Sequence, residues 1–102
     1  RESRVKLSQT EYEIGKATAE AALDYATADA EMTAASRRLE AEKIAYEAVR
    51  RKFELGGASP VELYTSGTKL ATARANYEGK RIAKIISRIT LDYYHGEKLI
   101  KE

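Results

Sequence analysis

Phe53-Glu54-Leu55-Gly56-Gly57-Ala58-Ser59-Pro60-Val61-Glu62-Leu63 is the one strong interruption in a chain that otherwise reads as helix from end to end. Adjacent glycines take φ > 0 without steric cost, so Gly56 and Gly57 supply a helix stop of the C-cap kind. Ser59 carries a side-chain oxygen able to cap a new helix. Pro60 suits its first position, where a missing N–H loses nothing. Stop, turn and start together predict a helical hairpin. Its elements are a helix over about residues 3–55, a turn at 56–59, a helix over about 60–95 and a short tail at 96–102.

The first arm has no Gly or Pro from Glu20 to Leu55 and consists mostly of good helix formers. Gly15 is its weak spot, costing about 1 kcal/mol relative to Ala. Large residues recur every seven: Tyr25, Met32, Leu39, Tyr46 and Phe53. Three residues further on runs a companion column of Ala28, Ala35 and Val49, interrupted by Glu42. That is the heptad seam of a coiled-coil-like contact. A second column, Ala34, Ala41, Ala48 and Leu55, lies off this seam, with Glu31, Arg38 and Lys52 between. An isolated two-helix hairpin needs one seam, whereas a helix with two seams has room for two neighbours. Alanine scattered over an indifferent helix surface would give the same spacing. At the usual rise per residue the arm spans about 75 Å, far beyond an average globular helix.

In the second arm, Leu63, Leu70 and Tyr77 form one column, and Val61, Thr68, Ala75, Ile82 and Ile89 another. Gly67 and Gly79 either permit close helix approach or bending, or are simply tolerated. Leu91-Asp92-Tyr93-Tyr94-His95-Gly96 reads as the end of the helix, with Gly96 as C-cap and His95 near the last carbonyls. Pairing the arms back from the turn leaves about the first 15 residues without a partner, a length that is marginal as a lone helix.

Composition bounds the function. The chain has 102 residues, 33% of them charged, with 18 Lys+Arg against 16 Asp+Glu. Such a balance gives no one-sided field for nucleic acid, so no nucleic-acid partner is expected. The basic amphipathic run from Lys80 to Arg88 is read as a solvated helix face, since no aromatic stacking platform accompanies it. Without cysteine there is no disulfide framework, zinc cage or thiol nucleophile. No nucleophile–base pair, phosphate loop or ligand cluster is present, so no catalytic residue, metal or cofactor is expected and the chain is not read as an enzyme. The helical pattern is already under way at both ends, and the chain is expected to be a piece of a larger protein.

The layout Ala-x-x-x-x-Tyr-Glu-x-x-x-x-Lys-Phe-Glu-Leu-Gly-Gly-Ala-Ser-Pro-Val-Glu-Leu resembles the periplasmic hairpin of TolC-like outer-membrane efflux proteins. The residues that carry the likeness at the turn are Phe53, Gly56, Ala58, Ser59, Val61, Glu62 and Leu63. Leu70, Ala73, Tyr77 and the Tyr93-to-Gly96 ending follow at the family's distances. The likeness covers about Ala41 to Gly96, with residues 1–40 similar only in helical character. It implies an all-α antiparallel hairpin that is a piece of a periplasmic α-barrel in a homotrimer anchored in the cell outer membrane by other parts of the chain. It further implies a passive exit duct whose tip, at Leu55, Gly56, Gly57, Ala58 and Ser59, docks a periplasmic adaptor joined to an inner-membrane pump. Family members often place two acids three residues apart after the tip as a lumenal constriction. Here Glu62 occupies the first position and Thr65 the second. Ala58 stands where a basic latch residue would, so no salt-bridged latch is implied. The alternatives are the coiled-coil hairpin of the adaptor itself, flanked by lipoyl-like half-motifs, and a generic coiled-coil dimerisation module.

Overall fold

The computed structural model describes the backbone of residues 2–101 and the side chains of residues 8–96. Two long helices, α1 (Glu2–Glu54) and α2 (Pro60–Lys101), pack antiparallel as a hairpin, and the fold is all-α.

The turn follows from its residues. Gly56 sits at φ 80°, the left-handed region, and no non-glycine residue among those described does. Its N–H donates to the Phe53 carbonyl at 3.1 Å, and the Gly57 N–H donates to the Lys52 carbonyl at 2.6 Å. This pair of bonds is a Schellman motif, which satisfies carbonyls that the end of α1 would otherwise leave unpaired. Only Gly56 needs glycine's conformational freedom. Gly57 lies outside the left-handed region, and a Cβ there would meet the Lys52 carbonyl oxygen at an ordinary 3.5 Å. On the other side of the turn, the Ser59 carbonyl accepts the first bond of α2, from the Leu63 N–H at 3.1 Å. The Ser59 hydroxyl accepts the Glu62 N–H at 3.1 Å, so Ser59 is the N-cap. Glu62 adds a carboxylate to the first turn of α2, where the helix dipole favours negative charge.

The far end of α2 differs from the sequence expectation. The helix runs through Gly96 to Lys101, so Gly96 is an interior residue and His95 does not sit at a helix end. One helical glycine costs about 1 kcal/mol, which the residues beyond it are able to offset by continuing the hydrogen-bonded ladder. The longer α2 also shortens the unpartnered part of α1.

Contacts divide the hairpin into two compact units. The turn-proximal unit, Ala30–Ile82, has a thin seam. Ala35, Leu39, Ser66 and Ala73 are buried in it. Met32, Glu42, Tyr46 and Val49 of α1 and Leu63, Leu70 and Tyr77 of α2 lie half-buried around them. Ala73, 2% exposed, marks the tightest point. Gly67 lies close to Tyr46, whose ring carbon would stand 3.5 Å from an added Cβ, whereas nothing lies within 4 Å of Gly79. Close helix approach is therefore seen at Gly67 and not at Gly79. The Lys80 ammonium reaches Glu31 at 3.0 Å across the two helices.

The turn-distal unit joins the rest of α1 up to Asp29 with the rest of α2 from Ala83. Ala21 and Ala28 are buried there, and Tyr25, Lys84, Ser87, Leu91 and Tyr94 are half-buried. This seam is less apolar than the other. A lysine occupies an inward heptad position and swings its ammonium outward along an alkyl stem, as amphipathic side chains do.

Candidate functional site

Two surfaces have features that the hairpin does not itself use: the tip, and the faces of the helices turned away from the seam. At the tip, Leu55 is the most exposed large apolar residue at 88%, joined by Tyr64 at 76% and Val61 at 72%. Gly56, Gly57 and Ser59 are exposed and Ala58 is half-buried. The five residues Leu55 to Ser59 thus form one contiguous apex, held in shape by the Schellman bonds and the Ser59 cap. Beside it, Tyr46, Pro60, Leu63, Tyr64, Gly67 and Thr68 line a shallow open groove.

Glu62 and Thr65 are both exposed in the first two turns of α2. The Glu62 backbone is committed to the Ser59 cap. Ser59 and Glu62 have the spacing of a capping box, a signal present in the sequence as Ser59-Pro60-Val61-Glu62. A bland role as a helix-start acid therefore accompanies any lumenal one.

Of the large residues placed in the seam from sequence, Leu39 is buried and Tyr25, Met32, Tyr46, Leu63, Leu70 and Tyr77 are half-buried. Phe53 is 37% exposed at the margin of the turn. The second columns lie outside the seam. Ala34, Ala41, Ala48 and Leu55 of α1 are exposed, as are Val61, Thr68, Ala75, Ile82 and Ile89 of α2. The Thr68 hydroxyl donates back to the Tyr64 carbonyl at 3.0 Å, which satisfies it within its own helix and reduces the polarity of that face. Sequence reasoning missed Ile85 and Ile86, 47% and 58% exposed on the same outward side of α2. The signal was there, because residues 82, 85, 86 and 89 fall on one helical face.

In the turn-distal unit the arms are tied by charge. The Lys84 ammonium lies 2.7 Å from the Asp29 carboxylate. Lys84 and the Arg88 guanidinium stand 5.9 and 5.8 Å from the centre of the Tyr25 ring, within cation–π range. Arg88 also pairs with Asp92 at 3.6 Å. The hydrogen bond to Asp29 raises the pKa of Lys84 above its ordinary 10.5, against a smaller opposing effect of desolvation. A lysine whose pKa is raised on folding adds stability that is complete below its unfolded pKa and is lost as pH rises through the folded value. The thermal midpoint is thus expected to fall as pH rises above the ordinary lysine value of 10.5. Asp29→Asn is expected to shrink that fall, as melting curves at stepped alkaline pH will show.

Among the described residues, no group of three or more His, Cys, Asp or Glu is placed to hold a metal ion, and no helix is long and apolar enough to cross a membrane. Comparison with protein-family models, curated proteins and solved structures finds no match to this chain.

Proposed function

We propose that this hairpin is a wall element of a periplasmic helical duct, part of a TolC-like outer-membrane efflux or secretion protein that is homotrimeric and performs no chemistry of its own. The observation that carries this reading is the placement of apolar residues on α2. Ile82, Ile85, Ile86, Ile89 and Tyr93 are 47–66% exposed, while Lys84 and Ser87 take inward positions between them. A helix segment that turns its isoleucines away from its partner has a second contact to make, because exposed apolar stripes of this size mark interaction surfaces. A closed wall of helices, each with a neighbour on both sides, supplies that contact. A stand-alone coiled-coil spacer does not call for it.

The tip then lies at the periplasmic entrance. Its apolar apex suits docking by the hairpin tip of a periplasmic adaptor, which in turn connects to an inner-membrane pump. Glu62, just inside the entrance, gives each trimer a ring of three carboxylates able to attract cations. Thr65 adds no charge, so the ring is single. In the full-length protein reconstituted in planar bilayers, Glu62→Gln is expected to lower the cation-to-anion permeability ratio about two- to five-fold, on the order of 0.4–1 kcal/mol per ion. The Ser59 cap uses the backbone of Glu62, so the substitution leaves that bond intact. An unchanged ratio removes Glu62 from the lumen. A full-length protein that forms no conducting pore at all removes the duct.

A further inference from the structure

We propose that the turn-distal unit is a clasp held by charge, whose two arms part together as ionic strength rises while the turn-proximal unit stays closed. The proposal does not depend on the duct reading, since every group it uses lies within one hairpin.

The two units hold their arms together by different means. In the turn-proximal unit Leu39 is buried, and Met32, Val49, Leu63 and Leu70 are half-buried around it. That contact is apolar, and screening by salt does not weaken it. The ion pair of this unit, Lys80 with Glu31 at 3.0 Å, accompanies a seam that apolar packing already closes. In the turn-distal unit, among the described residues, the buried ones are both alanines, Ala21 and Ala28. Each alanine removes little apolar area from water, so its burial contributes little. Ile14 and Leu91 are half-buried, but Ile85, Ile86 and Ile89 of α2 face outward, and Lys84 and Ser87 take inward positions among them.

What crosses the turn-distal seam in their place is charge. The Lys84 ammonium lies 2.7 Å from the Asp29 carboxylate and 5.9 Å from the centre of the Tyr25 ring. The Arg88 guanidinium lies 5.8 Å from the same ring. Two cations of α2 thus converge on the stretch of α1 from Tyr25 to Asp29. The Lys84 and Asp29 side chains are both partly open to solvent, where ions screen them. The reach of an exposed charge falls from about 10 Å at 0.1 M salt to about 3 Å at 1 M. A seam that rests on such contacts loosens with salt. Most of a helix's stability in a protein comes from packing against a neighbour, so an arm that parts from its partner also loses helix. Its own amides then exchange with solvent before those of the rest of the fold.

The test is amide hydrogen exchange of the chain at one fixed pH, in about 0.05 M and about 1 M potassium chloride. Amides from Ala83 to Gly96 are expected to exchange about ten-fold faster than those from Leu63 to Tyr77. The higher salt is expected to speed the first group about three-fold further, as one step, and to leave the second unmoved. Asp29→Asn is expected to give the high-salt rates at low salt. Glu31→Gln, the matched change in the turn-proximal unit, is expected to leave the exchange of residues 63–77 as it was. Lys84→Met keeps an unbranched stem, removes the ammonium and sets a thioether beside Tyr25, a favourable pairing. It is expected to slow exchange in the turn-distal unit and to remove its salt response, an outcome that damage to the fold does not produce. Acceleration of both units alike by salt overturns the proposal, as do distal rates that ignore both Asp29→Asn and Lys84→Met. Rates that decline smoothly from the chain end inward, with no response to salt, mean simple end fraying and overturn it too.

Discussion

Gly56→Ile is expected to lower the melting temperature of this chain and, on the efflux function proposed above, to abolish drug resistance in cells that depend on the full-length protein. Gly56 is held at φ 80°, where a β-branched residue is a strained outlier. Forcing isoleucine into that conformation costs about 1–3 kcal/mol. The alternative is to release it by breaking the bonds to Phe53 and Lys52 that close α1. Either way Leu55 and the start of α2 shift, and with them the surface proposed to meet the adaptor. Gly57→Ala is the matched control, since its Cβ makes only ordinary contact and its backbone needs no left-handed angle. Growth in the presence of drug and thermal melting read the two consequences separately. Wild-type resistance in the Gly56→Ile strain would remove the tip from docking.

The second large effect is expected at Leu39. Among the described residues it is the largest of the buried apolar side chains, 9% exposed among alanines. A seam one residue deep has little means of collapsing around a deletion, so Leu39→Ala is expected to cost about 2–4 kcal/mol. A hairpin with so few buried residues has little reserve against that loss. Urea unfolding followed by helical circular dichroism measures it. Ile44, 66% exposed in the same helix, is the control, and Ile44→Ala is expected to change stability by less than about 0.5 kcal/mol. Equal effects at the two positions would mean that the inward face of α1 has been assigned wrongly.

What the sequence made legible was local or strongly periodic. The turn was readable because glycine, serine and proline act through their own backbone and side-chain chemistry, within a few residues of where they stand. The large-residue seam was readable because Tyr25, Met32, Leu39 and Tyr46 repeat at a fixed interval. The inward face of α2 was less visible. Ser66, Ala73, Lys80, Ser87 and Tyr94 also repeat every seven residues, yet no hydropathy pattern picks out such a column. Small residues go inward there because the helices are close, and lysines because their stems are apolar while their heads find Glu31 and Asp29. Both reasons belong to the pair of helices and not to either alone. Gly96 misled for a related reason: a glycine has the chemistry of a stop, but whether it acts as one depends on what the following residues gain by staying helical.

At the candidate site, the tip residues were identifiable from the turn itself, and the outward columns from their spacing.

The amides of Leu55, Gly56, Gly57, Glu62 and Leu63 all donate within the hairpin. A partner approaching the apex at these positions finds shape and apolar side chains in place of free donors. Discrimination by hydrogen bonding is steep, because a mismatched partner strands a buried polar group, whereas discrimination by apolar fit is shallow, about 1–3 kcal/mol for a methylene. A tip built this way tolerates drift in whatever grips it. In the duct proposed above, one channel then serves several transport systems, with selectivity residing in the machinery behind the adaptor and not at the tip.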